Sequence, residues 1–252
     1  MARVLITGAA GGLGAALARQ YRARGHQVIG ADLADADVAL DVRSEADWRD
    51  ARDHVEQTWG GLDILINNAG VAGGGRVDRT DAQEWHRVLD VNVVGVANGC
   101  AAFAPLFKQQ GRGHLVNVAS LAGLVHPAGM SAYTASKAAV VAMSESLNHE
   151  LAPWGVQVSV VCPSFFRTNL AASLTDGDPV MAAISAKLIE RAPFDADQIA
   201  ARVVDAVADG VFLILPDAGA QKAYWDKRLH PRAYQLQMFA AGQRIRSAEP
   251  PV

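Results

Sequence analysis

Short apolar runs alternate along this chain with longer Ala- and Leu-rich stretches whose apolar positions recur every three to four residues, a pattern of strands alternating with helices. The first run covers 3–7 and passes through T-G-A-A-G-G-L-G into a helical pattern reaching about residue 24. A second strand covers 27–31 and ends at Asp32, a short segment covers 38–42, and an amphipathic helix over 44–59 opens on a Ser44 cap and closes at Gly60-Gly61. The strand D-I-L-I-N follows, then N-A-G and the glycine-rich stretch 71–76, expected to be mobile and to border a substrate site. A long helix is expected over 81–108. Asn92 and Gly95 are poor residues for its middle, so they predict either a kink with a purpose or a plain solvent-facing Asn.

The second half repeats the alternation. An apolar run over 114–119 ends at Ser120, a helix is expected over 131–151, and a buried-type strand over 156–162 leads into P-S-F-F-R-T-N-L. An Ala-rich stretch over 169–191, broken by T-D-G-D-P, predicts a helical lid. A helix over 195–209 and a strand over 211–215 complete a parallel, doubly wound α/β architecture, and no repeat or linker divides residues 1–252 into more than one domain. The tail over 217–252 reads as irregular, mixing Tyr224, Trp225, Leu229, Tyr234, Leu236, Met238 and Phe239 with Lys222, Lys227, Arg228 and Arg232. Packing on the core or on another subunit is favoured over a membrane-surface contact, and the last residues are expected to fray.

Half of the 252 residues are hydrophobic, enough for a substantial core. The net charge of -3 leaves no global electrostatic footprint for nucleic acid. No apolar run approaches the roughly 18 residues of a membrane span and no leader pattern opens the chain, so the expectation is a cytoplasmic protein without an integral membrane segment. Cys100 and Cys162 read as reduced core thiols, and the seven His form no metal-like cluster.

Two stretches carry candidate chemistry. Gly8, Gly12, Leu13 and Gly14 lie where a strand turns into a helix, a setting in which glycines let the backbone approach a pyrophosphate and the helix N-terminus favours the anion. A tight turn with close helix packing is the competing reading. Asp32, at the end of the next strand, can accept hydrogen bonds from both hydroxyls of an adenosine ribose and would repel a 2′-phosphate. With no Lys or Arg between Thr7 and Ala18 and Leu33 after the acid, this favours NAD over NADP. Asp41, with Val42 beside it, is placed to meet an adenine edge, and Asn68, Ala69 and Gly70 suit a strand end that turns and bonds a ligand.

The other stretch runs from Asn117 to Lys137. Tyr133 and Lys137 are four residues apart, so a helix puts them on one face. A free Tyr titrates near about 10, and proton transfer near neutrality needs roughly 2 to 3 units less. A cation about 4 Å away supplies on the order of 4 kcal/mol at an effective dielectric of 20, enough for one Lys to tune one Tyr although desolvation takes part of it back, and in isolation a plain helix surface pair is the favoured reading. Ser120, at the preceding strand end, stands where open α/β sheets bind ligands.

With T-G-x-x-x-G-x-G at Thr7 to Gly14, N-N-A-G at Asn67 to Gly70, Asn92, Ser120, Tyr133, Lys137 and the P-x-x-x-x-T of Pro163 to Thr168 all in order, the chain resembles the short-chain dehydrogenase/reductase family. The resemblance covers about residues 3–215. It implies a Rossmann-like fold with a seven-stranded parallel sheet flanked by helices, and a Ser-Tyr-Lys-Asn active site. By that likeness Tyr133 is the acid/base, Ser120 bonds the substrate oxygen, Lys137 holds the nicotinamide ribose and lowers the Tyr pKa, Asn92 holds a relay water, and Thr168 bonds the carboxamide, with Pro163 at the nicotinamide site. The expected activity is hydride transfer between NAD and a secondary alcohol or ketone, taken as apolar because Phe165, Phe166, Leu170, Met130 and Met181 fall near the expected pocket, with a core role for them as the equal alternative. An NADPH-using reductase and a dinucleotide-bound sensor without turnover are the alternatives. Two departures stand out: Ser164 follows Pro163 where the family has Gly, which puts bulk beside the nicotinamide site, and L-P-D-A-G with the aromatic tail replaces the usual V-D-G-G ending. A homodimer through the two long helices is expected, with a homotetramer left open.

Overall fold

The structure, a computed structural model, describes residues 1–73, 75–168 and 177–248. The strands carry near-continuous apolar runs because helices cover both faces of the sheet they form. In chain order, β1 (Arg3–Thr7) leads to α1 (Gly12–Ala23), β2 (Gln27–Asp32), the two-residue β3 (Val38–Ala39), α2 (Glu45–Trp59) and β4 (Ile64–Asn67). Then come α3 (Ala82–Leu89), α4 (Gly95–Gln110), β5 (Gly113–Val118), the short α5 (Ala122–Val125), α6 (Ser131–Leu151) and β6 (Val156–Val161). α7 (Pro179–Glu190), α8 (Ala196–Ala208), the two-residue β7 (Leu213–Ile214), α9 (Ala218–Leu229) and α10 (Pro231–Ser247) end the described chain.

All seven strands are parallel, in the order β3-β2-β1-β4-β5-β6-β7. The order reverses between β1 and β4, and the crevice beyond the carboxyl ends of such strands is where an open α/β sheet receives a ligand. On one face Leu5, Leu65 and Leu115 pack with Trp48 of α2, Phe103 and Phe107 of α4, and Val140 of α6. On the other, Ile6, Ile66 and Val116 pack with Leu17 and Tyr21 of α1 and Val203 of α8. The strand ends are therefore held from both sides.

Several caps follow the sequence. Ser44 accepts the Asp47 N–H at the start of α2, Gly60 closes α2 in the left-handed region, and Asp195 forms a capping box with Gln198 on α8.

Three expectations change. The helix expected over 81–108 is α3 and α4 joined by a π-helical turn, Asp90–Val94, with Asn92 inside it. Taken together, Ala82–Gln110 is long and apolar enough, at a mean hydropathy of 1.4, to cross a membrane by length and composition. The sequence reading missed this because Asp90 and the small residues interrupt any single apolar run; here its inner side packs on the sheet as a core helix. The tail over 217–248 is not irregular but helical. Asp217 caps α9, Pro231 opens α10, and the helical period was hidden because Trp225, Leu229, Leu236 and Phe239 stay exposed instead of forming a core-facing stripe. The first part of the expected lid, 169–176, lies outside the described residues, and its remainder is α7.

Candidate active site

α6 begins at Ser131, so Tyr133 and Lys137 project from its first two turns toward the end of β5. The Ser120 hydroxyl accepts the Ala122 N–H at 3.1 Å and stands near enough to the Tyr133 phenol to stabilise its charged form. Lys137 is 4% exposed, and its Nζ donates to the Val118 carbonyl at 3.0 Å. Its ammonium lies 5.8 Å from the Tyr133 ring centroid. The expected tuning of this Tyr by this Lys is not what the geometry gives. Burial pushes the Tyr133 phenol above its ordinary value, and the Ser120 hydroxyl offsets only part of the rise. Burial also lowers Lys137, to about 8. Each group is pushed toward its neutral form because its charged form loses water.

Asn92 explains the π turn. It is fully buried, and its amide accepts the Val71 N–H at 2.9 Å while donating to the Val71 carbonyl at 3.0 Å and to Ser136 Oγ at 3.2 Å. A π turn inserted in the helix aims this side chain at the loop after β4. The backbone there passes so closely that a Cβ on Gly70 would lie 3.1 Å from Asn92 Oδ1 and 3.4 Å from Lys137 Nζ. Asn92, Lys137 and Gly70 thus meet at one point.

Facing this group is the glycine turn. Gly14 packs against the turn itself, where a Cβ would stand 2.0 Å from the Gly8 carbonyl oxygen. Gly8 has φ 68° and lies under the Asn68 side-chain amide and the Ala69 backbone. Thr7, which the sequence reading used only as a strand end, ties these parts together. Its hydroxyl accepts the N–H groups of Asn68 and Ala69, both at 3.0 Å, and the Asn68 amide returns to the Thr7 carbonyl at 2.9 Å. Gly11 caps α1 without any side-chain bond, and a Cβ there would meet nothing within 4 Å. The helix N-terminus therefore opens onto free space, which fits a pyrophosphate.

The family model for short chain dehydrogenases matches residues 2–179. The chain belongs to the short-chain dehydrogenase family. It is 36% identical over 225 residues to 2-(R)-hydroxypropyl-CoM dehydrogenase of Xanthobacter autotrophicus, covering 79% of this chain and 90% of that one. It is 36% identical over 180 residues to 3-alpha-(or 20-beta)-hydroxysteroid dehydrogenase of Mycobacterium tuberculosis, covering 66% and 69%. Among solved structures, a short-chain dehydrogenase/reductase of Burkholderia phymatum in complex with NAD superposes with a TM-score of 0.84 at 30% identity, covering 94% of this chain and 95% of the other. A short-chain dehydrogenase of Sphingobium yanoikuyae in complex with NADPH gives 0.73 at 27% identity, covering 94% and 95%.

The remaining candidate residues of this short-chain dehydrogenase divide by their contacts. Asp32 accepts the Ala10 N–H at 3.0 Å and the Leu33 N–H at 2.8 Å, which sets its carboxylate beside the glycine turn with acceptor capacity to spare. Leu13 and Val42 point into the two cores, so only their backbones can face a ligand. Asp41 is ion-paired with Arg43 at 2.6 Å, which holds its carboxyl below the usual range. The pair lines a surface cavity of about 420 Å³ with Ser44, Asp90 and Val94. Pro163 accepts the Leu121 N–H at 2.9 Å, and Thr168 Oγ1 would lie 3.1 Å from a Cβ on Gly12, so Thr168 stands against the glycine turn. Of the apolar residues assigned to the substrate pocket, Phe166 belongs instead to the core formed with α1 and α8. Leu170 lies outside the described residues, whereas Met181 packs on Gly129 one residue from Met130.

Of the stretch 71–76 expected to be mobile, Gly75 and Arg76 are anchored, while residue 74 lies outside the described residues. Arg76 donates from Nε to Asp178 Oδ2 at 2.7 Å and from its backbone at 3.0 Å, and Gly75 donates to the Gly129 carbonyl at 3.0 Å. Burial of Asp178 raises its carboxyl, but Arg76 and the Met181 N–H more than offset this and hold it at about 2. This folded value is below the unfolded one of about 3.8, so the stabilisation is full above pH 4 and is lost as pH falls toward 2. Asp178→Asn is expected to lower the unfolding free energy by about 2 kcal/mol at pH 7. In urea titrations its stability should converge with that of the parent as the pH approaches 2.

Proposed function

We propose that the protein catalyses hydride transfer between NAD and an apolar secondary alcohol or ketone, with Tyr133 as the acid/base. The observation that carries this reading is the convergence of Ser120, Tyr133, Lys137 and Asn92 at the strand ends facing the glycine turn. The Gly8–Gly14 turn and the N-terminus of α1 would hold the pyrophosphate, Asp32 the adenosine ribose, Asn68 to Gly70 the opposite wall, Lys137 the second ribose, and Thr168 the carboxamide. When bound, the nicotinamide ring supplies the hydride acceptor or donor.

The chain's own groups supply the proton transfer. In oxidation the Tyr133 oxygen takes the alcohol proton, and in reduction the phenol donates it to the developing alkoxide. Ser120, beside the phenol, places its hydroxyl where the substrate oxygen must lie and stabilises charge there. Asn92 holds the loop at Val71 in place beside Lys137.

NAD is favoured over NADP because Asp32 is fixed beside the glycine turn, where a 2′-phosphate would meet its negative charge. The NAD-bound and NADPH-bound relatives show that this family accommodates both, so the residue, not the fold, carries the preference. Met130 and Met181 beside Gly129 support an apolar substrate, and the hydroxysteroid dehydrogenase among the relatives is in keeping with it. A homodimer through α4 and α6 remains part of this reading, supported by the exposed Val94 at the start of the long helix.

The test is reduced-nicotinamide formation with NAD or NADP across secondary alcohols from small aliphatic to hydroxysteroid. kcat/KM is expected to favour NAD by at least about 100-fold, and Asp32→Ala should narrow that ratio by about tenfold or more. A preference for NADP in the parent protein would overturn the cofactor assignment.

A further inference from the structure

We infer that Asp217, at the head of the C-terminal helices, is a positioning residue that sets the loop carrying Thr168, and so governs dinucleotide affinity from outside the site. The inference rests on the proposed dinucleotide reading.

Ser164 is the residue that departs from the family's Pro-Gly, and its bulk was expected beside the nicotinamide site. Instead its backbone stays out of the left-handed region, and its side chain turns away to Asp217. The Asp217 carboxylate is 3% exposed. Its Oδ2 accepts the Ser164 N–H at 3.0 Å, and its Oδ1 accepts both the Ser164 hydroxyl at 2.7 Å and the Ala220 N–H at 2.8 Å. These three partners are neutral donors, so the charge is held by oriented dipoles, including the N-terminus of the twelve-residue α9.

These bonds fix the middle of a loop whose two ends are also fixed. Pro163 takes the Leu121 N–H, which ties the loop to the segment just after Ser120. Arg167 donates its N–H to the Phe194 carbonyl at 2.9 Å, and Thr168 then stands at Gly12. Without the Asp217 contacts, Ser164 and the exposed Phe165 would be held only by Pro163 on one side and by the core-packed Phe166 on the other, and the stretch of chain leading to Thr168 would loosen. Farther along α9, Lys227 donates to the Leu124 carbonyl at 2.6 Å, and Tyr234 of α10 donates to the Val125 carbonyl at 2.7 Å. The C-terminal helices therefore brace both the Pro163 loop and the segment between Ser120 and Tyr133. Ser164 and the L-P-D-A-G ending are two departures from the family pattern that meet in one set of hydrogen bonds.

The experiment compares Asp217→Asn, Ser164→Ala and the double variant. The Asn amide keeps an acceptor for Ala220 and the Ser hydroxyl but presents a donor to the Ser164 N–H, so the cap survives while the backbone contact fails. The readouts are NADH and NADPH Kd from fluorescence titration, with thermal unfolding to fix a temperature at which each variant is folded. Asp217→Asn is expected to weaken binding of the preferred dinucleotide about tenfold and Ser164→Ala about threefold, with the double variant no worse than about the stronger single, since both act through one contact. A lowered Tm with Kd within twofold of the parent would reduce Asp217 to a helix cap and overturn the inference. If Asp217→Asn does not fold, Ser164→Ala decides, because it leaves the cap intact; an unchanged Kd there overturns the inference as well. A parent protein that binds neither NADH nor NADPH would instead overturn the dinucleotide reading itself, and the positioning role with it.

Discussion

Tyr133→Phe is expected to lower kcat by about 10³ to 10⁴, or roughly 4 to 5.5 kcal/mol in activation free energy, while leaving NADH affinity within about twofold. The phenol oxygen is the part of this residue that faces Ser120, and the ring keeps its packing when the hydroxyl is removed. Binding and chemistry should therefore separate cleanly. The pH profile gives an independent check. Because burial raises this phenol, the parent protein holds it protonated at neutral pH, the form needed to reduce a ketone. The oxidation rate, which needs the phenolate, should climb through the alkaline range until that group ionises. The reduction rate should fall over the same interval. A variant that keeps full turnover on a genuine substrate would remove Tyr133 from the chemistry.

The second large effect is expected at Gly14. A Cβ there would lie 2.0 Å from the Gly8 carbonyl oxygen and 2.6 Å from the Asn68 amide, both parts of one hydrogen-bonded knot with Thr7. Backbone atoms cannot rotate out of the way as a side-chain tip can. Gly14→Ala should cost about 3 kcal/mol or more in stability and weaken NADH binding by at least about 100-fold, because α1 must lift from the turn. Gly11→Ala is the discriminating partner. Its Cβ meets nothing, so stability should change by no more than about 0.5 kcal/mol, yet the methyl stands at the open N-terminus of α1 and should weaken binding about tenfold. Urea unfolding and fluorescence titration of the two variants separate packing from ligand contact. An unchanged Kd in Gly11→Ala would mean that the open N-terminus of α1 does not face the pyrophosphate.

Much of this geometry was legible in residue order. The alternation of apolar runs with Ala-rich helices places all seven strands, and the four-residue interval between Tyr133 and Lys137 puts both on one side of α6. Asn92 was recognisable as an anomaly, but its cause was not. Only the fold reveals that a π turn lets its amide pair with both backbone groups of Val71. The electrostatics of Tyr133 were misjudged because spacing reports which groups are neighbours and says nothing of how much water each has lost. Phe166 illustrates the same limit for packing, since an aromatic after a strand end can turn inward or outward with identical local sequence. The C-terminal helices were hidden because their apolar residues do not segregate to one buried face. Asp217 and Asp178 were hidden because their partners lie 53 and 102 residues away.

The two outermost strands, β3 and β7, are two residues long each. An exposed strand recruits a foreign chain by offering a row of unpaired amides and carbonyls, and two residues offer too few to hold one. The parallel sheet is thus blunted at both margins, giving the chain a built-in guard against edge-to-edge aggregation. A second copy approaching either margin of the sheet would find little backbone to pair with, so the indiscriminate hydrogen bonding of a growing sheet has no starting row.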